Sequence, residues 1–202
     1  MPKIVDHDER RVEIAEAAWR VIKQKGIKGA SVRNIAHESG LSLGALRHYF
    51  PTQDDLLVFA MEVVKERATA RIRQVATEEL PPVRKVLRML MEMVPCDEER
   101  RLEMEVWFEF TFHMKKSNPP AFDAQHDGIL QAVEQLLSHL AQLGLLRPTL
   151  ELPLEAEKLY ALLDGLALHM LMDPDRLTPA QAEQVLESCL ASICLSEEDM
   201  KK

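Results

Sequence analysis

At 202 residues the chain is long enough to bury a core without disulfide staples, as one domain or two small ones. Its 47% hydrophobic and 5% aromatic content is that of an ordinary globule, and no apolar run approaches the roughly eighteen residues of a membrane span. The net charge of −8 speaks at first sight against a nucleic-acid partner, but residues 1–50 hold nine Lys and Arg against six Asp and Glu, and the remainder sixteen against twenty-seven.

The opening MPKIVDHDERR is charged and has no apolar signal region, so a cytoplasmic address is expected. Cys96, Cys189 and Cys194 are an odd number at no metal-ligand spacing and read as buried thiols. No metal and no cofactor are expected.

Helical stripes recur along the chain and strict alternation is scarce, so the expected fold class is all-α with about nine helices. Ile14, Ala15, Ala18, Trp19 and Ile22 mark a first helix, closed by Gly26 after Lys23 and Lys25. Ser31 is placed to cap a second helix over Val32 to Ser39, Gly40 to supply a positive φ for a tight turn, and Ser42 to cap a third from Leu43 to Tyr49. So short a turn makes the two helices cross steeply. Ala36 is small where they approach; Leu41, Leu46 and Phe50 are apolar where the third helix faces inward. Leu43, Gly44, Arg47 and His48 are left outward. Seven helical residues span about 10 Å, a size that enters a major groove about 12 Å wide.

Thr52 caps a fourth helix with Asp54 and Asp55 in its first turn; with no Gly or Pro up to Leu80 it is expected to run about twenty-five residues before Pro81 and Pro82 stop it. A fifth helix carries Val83, Val86, Leu87, Leu90 and Met91 and ends near Pro95; a sixth covers Asp97 to Met114. A seventh starts at Asn118 and Pro119 and ends at Gly144, an eighth spans Leu154 to Leu171, and a ninth opens at Thr178 with Pro179 at N1 and Gln181 completing a capping box.

The second and third helices, with Ala36, Gly40 and Leu46 at the small, glycine and aliphatic positions and GLSLGALRHYFPTQDDLL running on into the fourth, closely resemble the helix-turn-helix of the TetR family of bacterial transcriptional regulators. The resemblance covers roughly residues 8–68. LLDGLALHMLMDP, Leu162 to Pro174, is similar, more weakly, to the penultimate helix of members like the betaine-synthesis repressor. The resemblance implies a DNA-binding domain over 8–68, motif 31–50, and a helical ligand-binding and dimerisation domain over 69–202. It makes Ser31, Arg33, Ser42, Leu43, Gly44, Ala45, Arg47, His48 and Tyr49 the candidate DNA-contacting residues. Arg47 stands where many members have Tyr, and is open to reading a guanine or holding a phosphate. Gln53 stands where many have Lys, which weakens or removes a phosphate contact. Lys3, Arg10 and Arg11 are open to two readings, a minor-groove arm or surface charge.

Farther on, His113, His126, His139 and His169 are scattered, and no nucleophile motif or phosphate loop appears, so no enzymatic activity is expected. Met89, Met93, Trp107, Phe110 and Met114 are candidates to line a cavity for an apolar small molecule, with ordinary core as the alternative. Leu159, Leu162, Leu163, Leu166, Met170, Val185, Leu186 and Cys189 look too numerous for one buried face on each of the last two helices, and are the candidate dimer surface.

The partners expected are therefore double-stranded DNA with a palindromic operator, a second copy of the chain and an unidentified small-molecule effector that releases a repressor. The alternative is a helical small-molecule- or partner-binding protein whose motif no longer engages DNA, told apart by the absence of salt-sensitive duplex binding.

Overall fold

A computed structural model of the chain describes residues 7–117 and 128–195. Lys3, His126 and the expected start of the seventh helix at Asn118 lie outside the described residues. Within them the secondary structure is all helical apart from an isolated antiparallel bridge between Leu146 and Cys194. The helices are α1 (His7–Lys25), α2 (Val32–Glu38), α3 (Leu43–Tyr49), α4 (Gln53–Ala76), α5 (Pro82–Met91), α6 (Glu98–Ser117), α7 (Gly128–Gln142), α8 (Leu152–Met172) and α9 (Pro179–Ile193). No helix among them is long and apolar enough to cross a membrane.

Side-chain caps start α2, α3, α4, α6 and α9. The Thr52 hydroxyl accepts the Asp55 N–H at 3.1 Å while the Asp55 carboxylate accepts the Thr52 N–H at 3.0 Å, a reciprocal cap on α4. Thr178 and Gln181 make the expected box on α9. Asp97 caps α6 by accepting the Arg100 N–H at 2.8 Å. α4 runs 24 residues, close to the twenty-five expected, and closes at Ala76, short of the prolines, where the Thr77 hydroxyl donates to the Gln74 carbonyl. Pro82 occupies the first turn of α5, where its missing N–H costs nothing, so the proline pair begins a helix rather than ending one.

The described residues form two compact units, 7–67 with 105–117 and 68–104 with 128–195; α4 and α6 contribute residues to both. In the first unit the buried side chains include Ile14, Ala18 and Ile22 of α1, Ile35 and Ala36 of α2, Leu46 of α3, Leu56 and Met61 of α4, and Val106 and Met114 of α6. Arg67 of α4 holds Glu16 of α1 with two bonds of 2.9 and 3.0 Å and lies over the Trp19 ring at 5.0 Å.

In the second unit α5, α7, α8 and α9 enclose one apolar core that includes Leu87, Leu137, Leu163 and Leu186. Arg84 of α5 pairs with Glu183 of α9 at 2.8 Å. A charged cluster sits beside this core: Arg71 of α4 bonds Glu103 of α6 and, at 2.9 Å, Glu92; Arg100 reaches Glu92 at 3.0 Å. Arg101 donates to the carbonyls of Met170 and Leu171, satisfying the open C-terminus of α8. The three thiols are free, and burial pushes each of them up from the ordinary cysteine value.

Candidate nucleic-acid interface

Short-range bonds build the paired helices α2 and α3. Ser31 is extended, and its hydroxyl accepts the Asn34 N–H at 3.2 Å; the Asn34 amide in turn donates to the Gly29 carbonyl at 2.9 Å. At the other end of α2 the Ser39 hydroxyl donates to the Ile35 carbonyl, and the Leu41 N–H returns to the Ala36 carbonyl at 2.9 Å. Gly40 between them has φ +67°, the left-handed conformation that an L side chain resists. The Ser42 hydroxyl then accepts the Ala45 N–H at 3.1 Å and starts α3.

Packing leaves α3 with two unlike sides. Leu46 and Phe50 are fully buried, Ala36 of α2 is buried as well, and Leu41 is half-buried in the turn. Leu43, Gly44, Arg47 and His48 are exposed, Ala45 and Tyr49 half so. Leu43 keeps 38% of its surface in solvent. His48 and Tyr49 meet edge to face at 5.6 Å. The exposed strip offers one guanidinium, one imidazole, an apolar side chain and a glycine that lets backbone approach closely, the groups that read base edges and methyls in a major groove.

The unit's own ion pairs sort its positive charge. Arg10 is held by Glu13, Arg20 by Glu38 at 2.7 Å and Arg67 by Glu16; Arg33 and Arg47 have no carboxylate partner among the described residues. His113 of α6 bonds Asp54 in the first turn of α4 at 3.0 Å. A surface groove of about 340 Å³ lined by Val12, Glu13, Glu16, Arg20, Glu38 and Ser39 collects three carboxylates and is ill suited to phosphate. Arg10 and Arg11 lie within α1, so neither belongs to an extended arm.

The other residues singled out from the sequence are distributed as follows. Met89 and Met93 are buried in the second unit, and Trp107, Phe110 and Met114 in the first. Leu159, Leu163, Leu166, Met170 and Leu186 belong to the second unit's own core, with Leu162 and Cys189 packed against it; only Val185 of that set is exposed. Five of these side chains are thus buried within one chain, while Leu162 and Cys189 are half-buried. The sequence reading missed Leu154, Leu168 and Met172, which leave the outer side of α8 apolar, Met172 with 75% of its surface exposed. Leu154, Ala161, Leu168 and Met172 recur at spacings of seven, seven and four, a helical period that could have separated the outer stripe from the inner one. Among the described residues no group of His, Cys, Asp and Glu could hold a metal ion.

Comparison with known proteins gives matches to both parts of the chain. Residues 14–58 match the model described as bacterial regulatory proteins, tetR family, and residues 82–195 that of the BetI-type transcriptional repressor, C-terminal. The HTH-type transcriptional regulator PksA of Bacillus subtilis (strain 168) is 51% identical over 197 residues, 98% of this chain and 96% of that protein. Among solved structures, a transcriptional regulator from Rhodococcus sp. Rha1 superposes with a TM-score of 0.74 at 27% identity, covering 91% of this chain and 95% of that one. The multidrug binding protein EbrR complexed with imidazole gives 0.63 at 30% identity, covering 89% and 94%.

Proposed function

The chain belongs to the TetR family of bacterial transcriptional regulators, and from that premise we propose that it is a cytoplasmic, homodimeric repressor that a small molecule releases from a palindromic operator. The observation that carries the reading is α3: a short helix fixed by its own caps, buried on Leu46 and Phe50, and presenting Leu43, Gly44, Arg47 and His48 outward. Arg47 and Arg33, without carboxylate partners among the described residues, are the charges a duplex would neutralise; Ser31, Ser42, Ala45 and Tyr49 frame the contact. No enzymatic step is part of this reading.

Dimerisation is assigned to the outward faces of α8 and α9, where Leu154, Leu168, Met172 and Val185 are apolar and exposed. Two recognition helices about 34 to 36 Å apart then meet successive turns of DNA. The effector is assigned to the second unit at Met89 and Met93, whose flexible thioethers reshape around an apolar guest. EbrR, similar over most of its length, is described as multidrug binding, which supports a ligand-responsive reading. Such a ligand releases DNA only by preferring the conformation that does not bind it; a coupling of about 1–3 kcal/mol changes operator affinity five- to 150-fold.

Selection of bound duplexes from a random library, with wild type and Arg47→Ala side by side at two salt concentrations, tests the reading. A palindrome whose half-site preference relaxes in the variant supports it and makes Arg47 a base reader. Unchanged preference with uniformly weaker binding makes Arg47 a phosphate contact. If wild type enriches nothing, even with cell extract supplying a corepressor, the repressor reading fails.

A further inference from the structure

Arg11 stands one turn into α1, and its guanidinium carbon lies 5.0 Å from the centre of the Phe50 ring and 4.8 Å from that of Phe59. The two rings are 5.0 Å apart and inclined by 36°. Phe50 is the buried residue that closes α3, its N–H bonded to the Leu46 carbonyl at 2.9 Å, and Phe59 belongs to α4. The guanidinium is therefore fixed where the recognition helix hands over to the next one, 39 residues along the chain from its own position.

A guanidinium lying over aromatic faces keeps its N–H edge for acceptors lying in its own plane. Among the described residues no carboxylate supplies one. Arg10, Arg20 and Arg67 each have a glutamate, whereas Arg11 shares with Arg33 and Arg47 the lack of any carboxylate partner among the described residues. The junction from Phe50 to Asp55 contains no Lys or Arg, and its two carboxylates are engaged, Asp54 by His113 and Asp55 by Thr52. Arg11 is thus a cation the fold delivers to the end of α3, with both ring contacts holding it in place and no carboxylate among the described residues engaging it.

We propose that Arg11 is a contact to a backbone phosphate of the operator, on the flank of the bases that α3 reads, with Phe50 and Phe59 orienting its guanidinium. The inference rests on the DNA-reading function proposed above. A phosphate contact adds affinity and register without base preference, and each one neutralised changes the salt dependence of binding by a fixed increment.

The test uses the full chain and the duplex that wild type itself selects. The slope of log affinity against log salt is measured for wild type, Arg11→Met, Arg11→Gln and Arg11→Lys, with a thermal melt of each. The expected result is a slope shallower by about 0.9 per protomer in a neutral variant that melts like wild type, with unaltered base preference, and a slope restored in Arg11→Lys. A wild-type slope in the folded Met or Gln variant overturns the proposal. Failure of both neutral variants to fold overturns it as well, because Arg11 is then a structural part of the bundle. If wild type selects no duplex at all, the repressor reading falls first and this one with it; if wild type selects a duplex and the slopes do not change, only this one falls.

Discussion

Arg71 closes two hydrogen bonds, 3.0 and 2.6 Å, on the carboxylate of Glu103, a side chain only 4% exposed and the sole charged residue in the buried set among the described residues. Glu103 beside it, through those bonds, pushes the Arg71 guanidinium further up from its ordinary value, with Glu92 adding to the effect and burial opposing it. Taking charges out of water costs several kcal/mol per ion, so the pair endures because each partner compensates the other. Removing one alone, as in Glu103→Ala, is expected to destabilise the chain by about 3–5 kcal/mol, whereas Arg71→Met with Glu103→Leu is expected to be neutral or more stable. Urea unfolding of the three proteins checks this, and a milder loss in the single variant than in the double one would contradict it.

Gly40 is expected to tolerate no side chain without strain. At φ +67°, with open space where a Cβ would stand, the cost is conformational rather than steric: Gly40→Ala should lose about 1 kcal/mol and Gly40→Asn less, because Asn visits this region more readily. Equilibrium unfolding of the two variants measures the difference, and equal losses would point to a steric origin instead.

The outward face of α8 yields a contrast between two leucines. Leu168→Glu is expected to leave the fold intact and produce monomers in analytical ultracentrifugation, since Leu168 is 41% exposed in one chain. Leu159→Ala should do the opposite, costing about 2–5 kcal/mol of fold stability by opening a cavity while leaving the folded protein dimeric. A dimeric Leu168→Glu would remove α8 from the interface.

Asp97 sets an expectation for acid. Burial works to raise its pKa, but the Arg100 backbone N–H at 2.8 Å and guanidinium at 3.0 Å outweigh it and hold the carboxyl below the ordinary aspartate value. A group with a depressed folded pKa contributes stability that is complete above its unfolded value and lost as pH falls through the folded one. Wild type should therefore lose part of its melting temperature below about pH 4, and Asp97→Asn, still a good cap, should show a flatter acid limb.

How much of this was readable beforehand depends on the reach of each interaction. Ser31, Gly40, Ser42, Thr52 and Thr178 act on backbone within a few positions, so residue type and spacing were sufficient to place the caps and the turn. Proline both ends and begins helices, and at Pro82 the choice falls to how α5 packs on α7 and α9. The outer and inner stripes of α8 are alike in composition; only the packing of Leu159 and Leu163 against α7 and α9 leaves Leu168 and Met172 outside. Arg11 at the start of a helix carries no local sign that it will rest on rings 39 and 48 residues away.

The hydrogen bonds that shape the turn between α2 and α3 come from Ser31, Asn34, Ser39, Ser42 and the main chain, and none reaches farther than five residues. Leu43, Gly44 and Arg47 take no part in them. Scaffold and vocabulary are therefore separable: a duplicated copy of this chain could acquire a different target through a few codon changes on the outward strip while every bond that folds the motif is inherited intact.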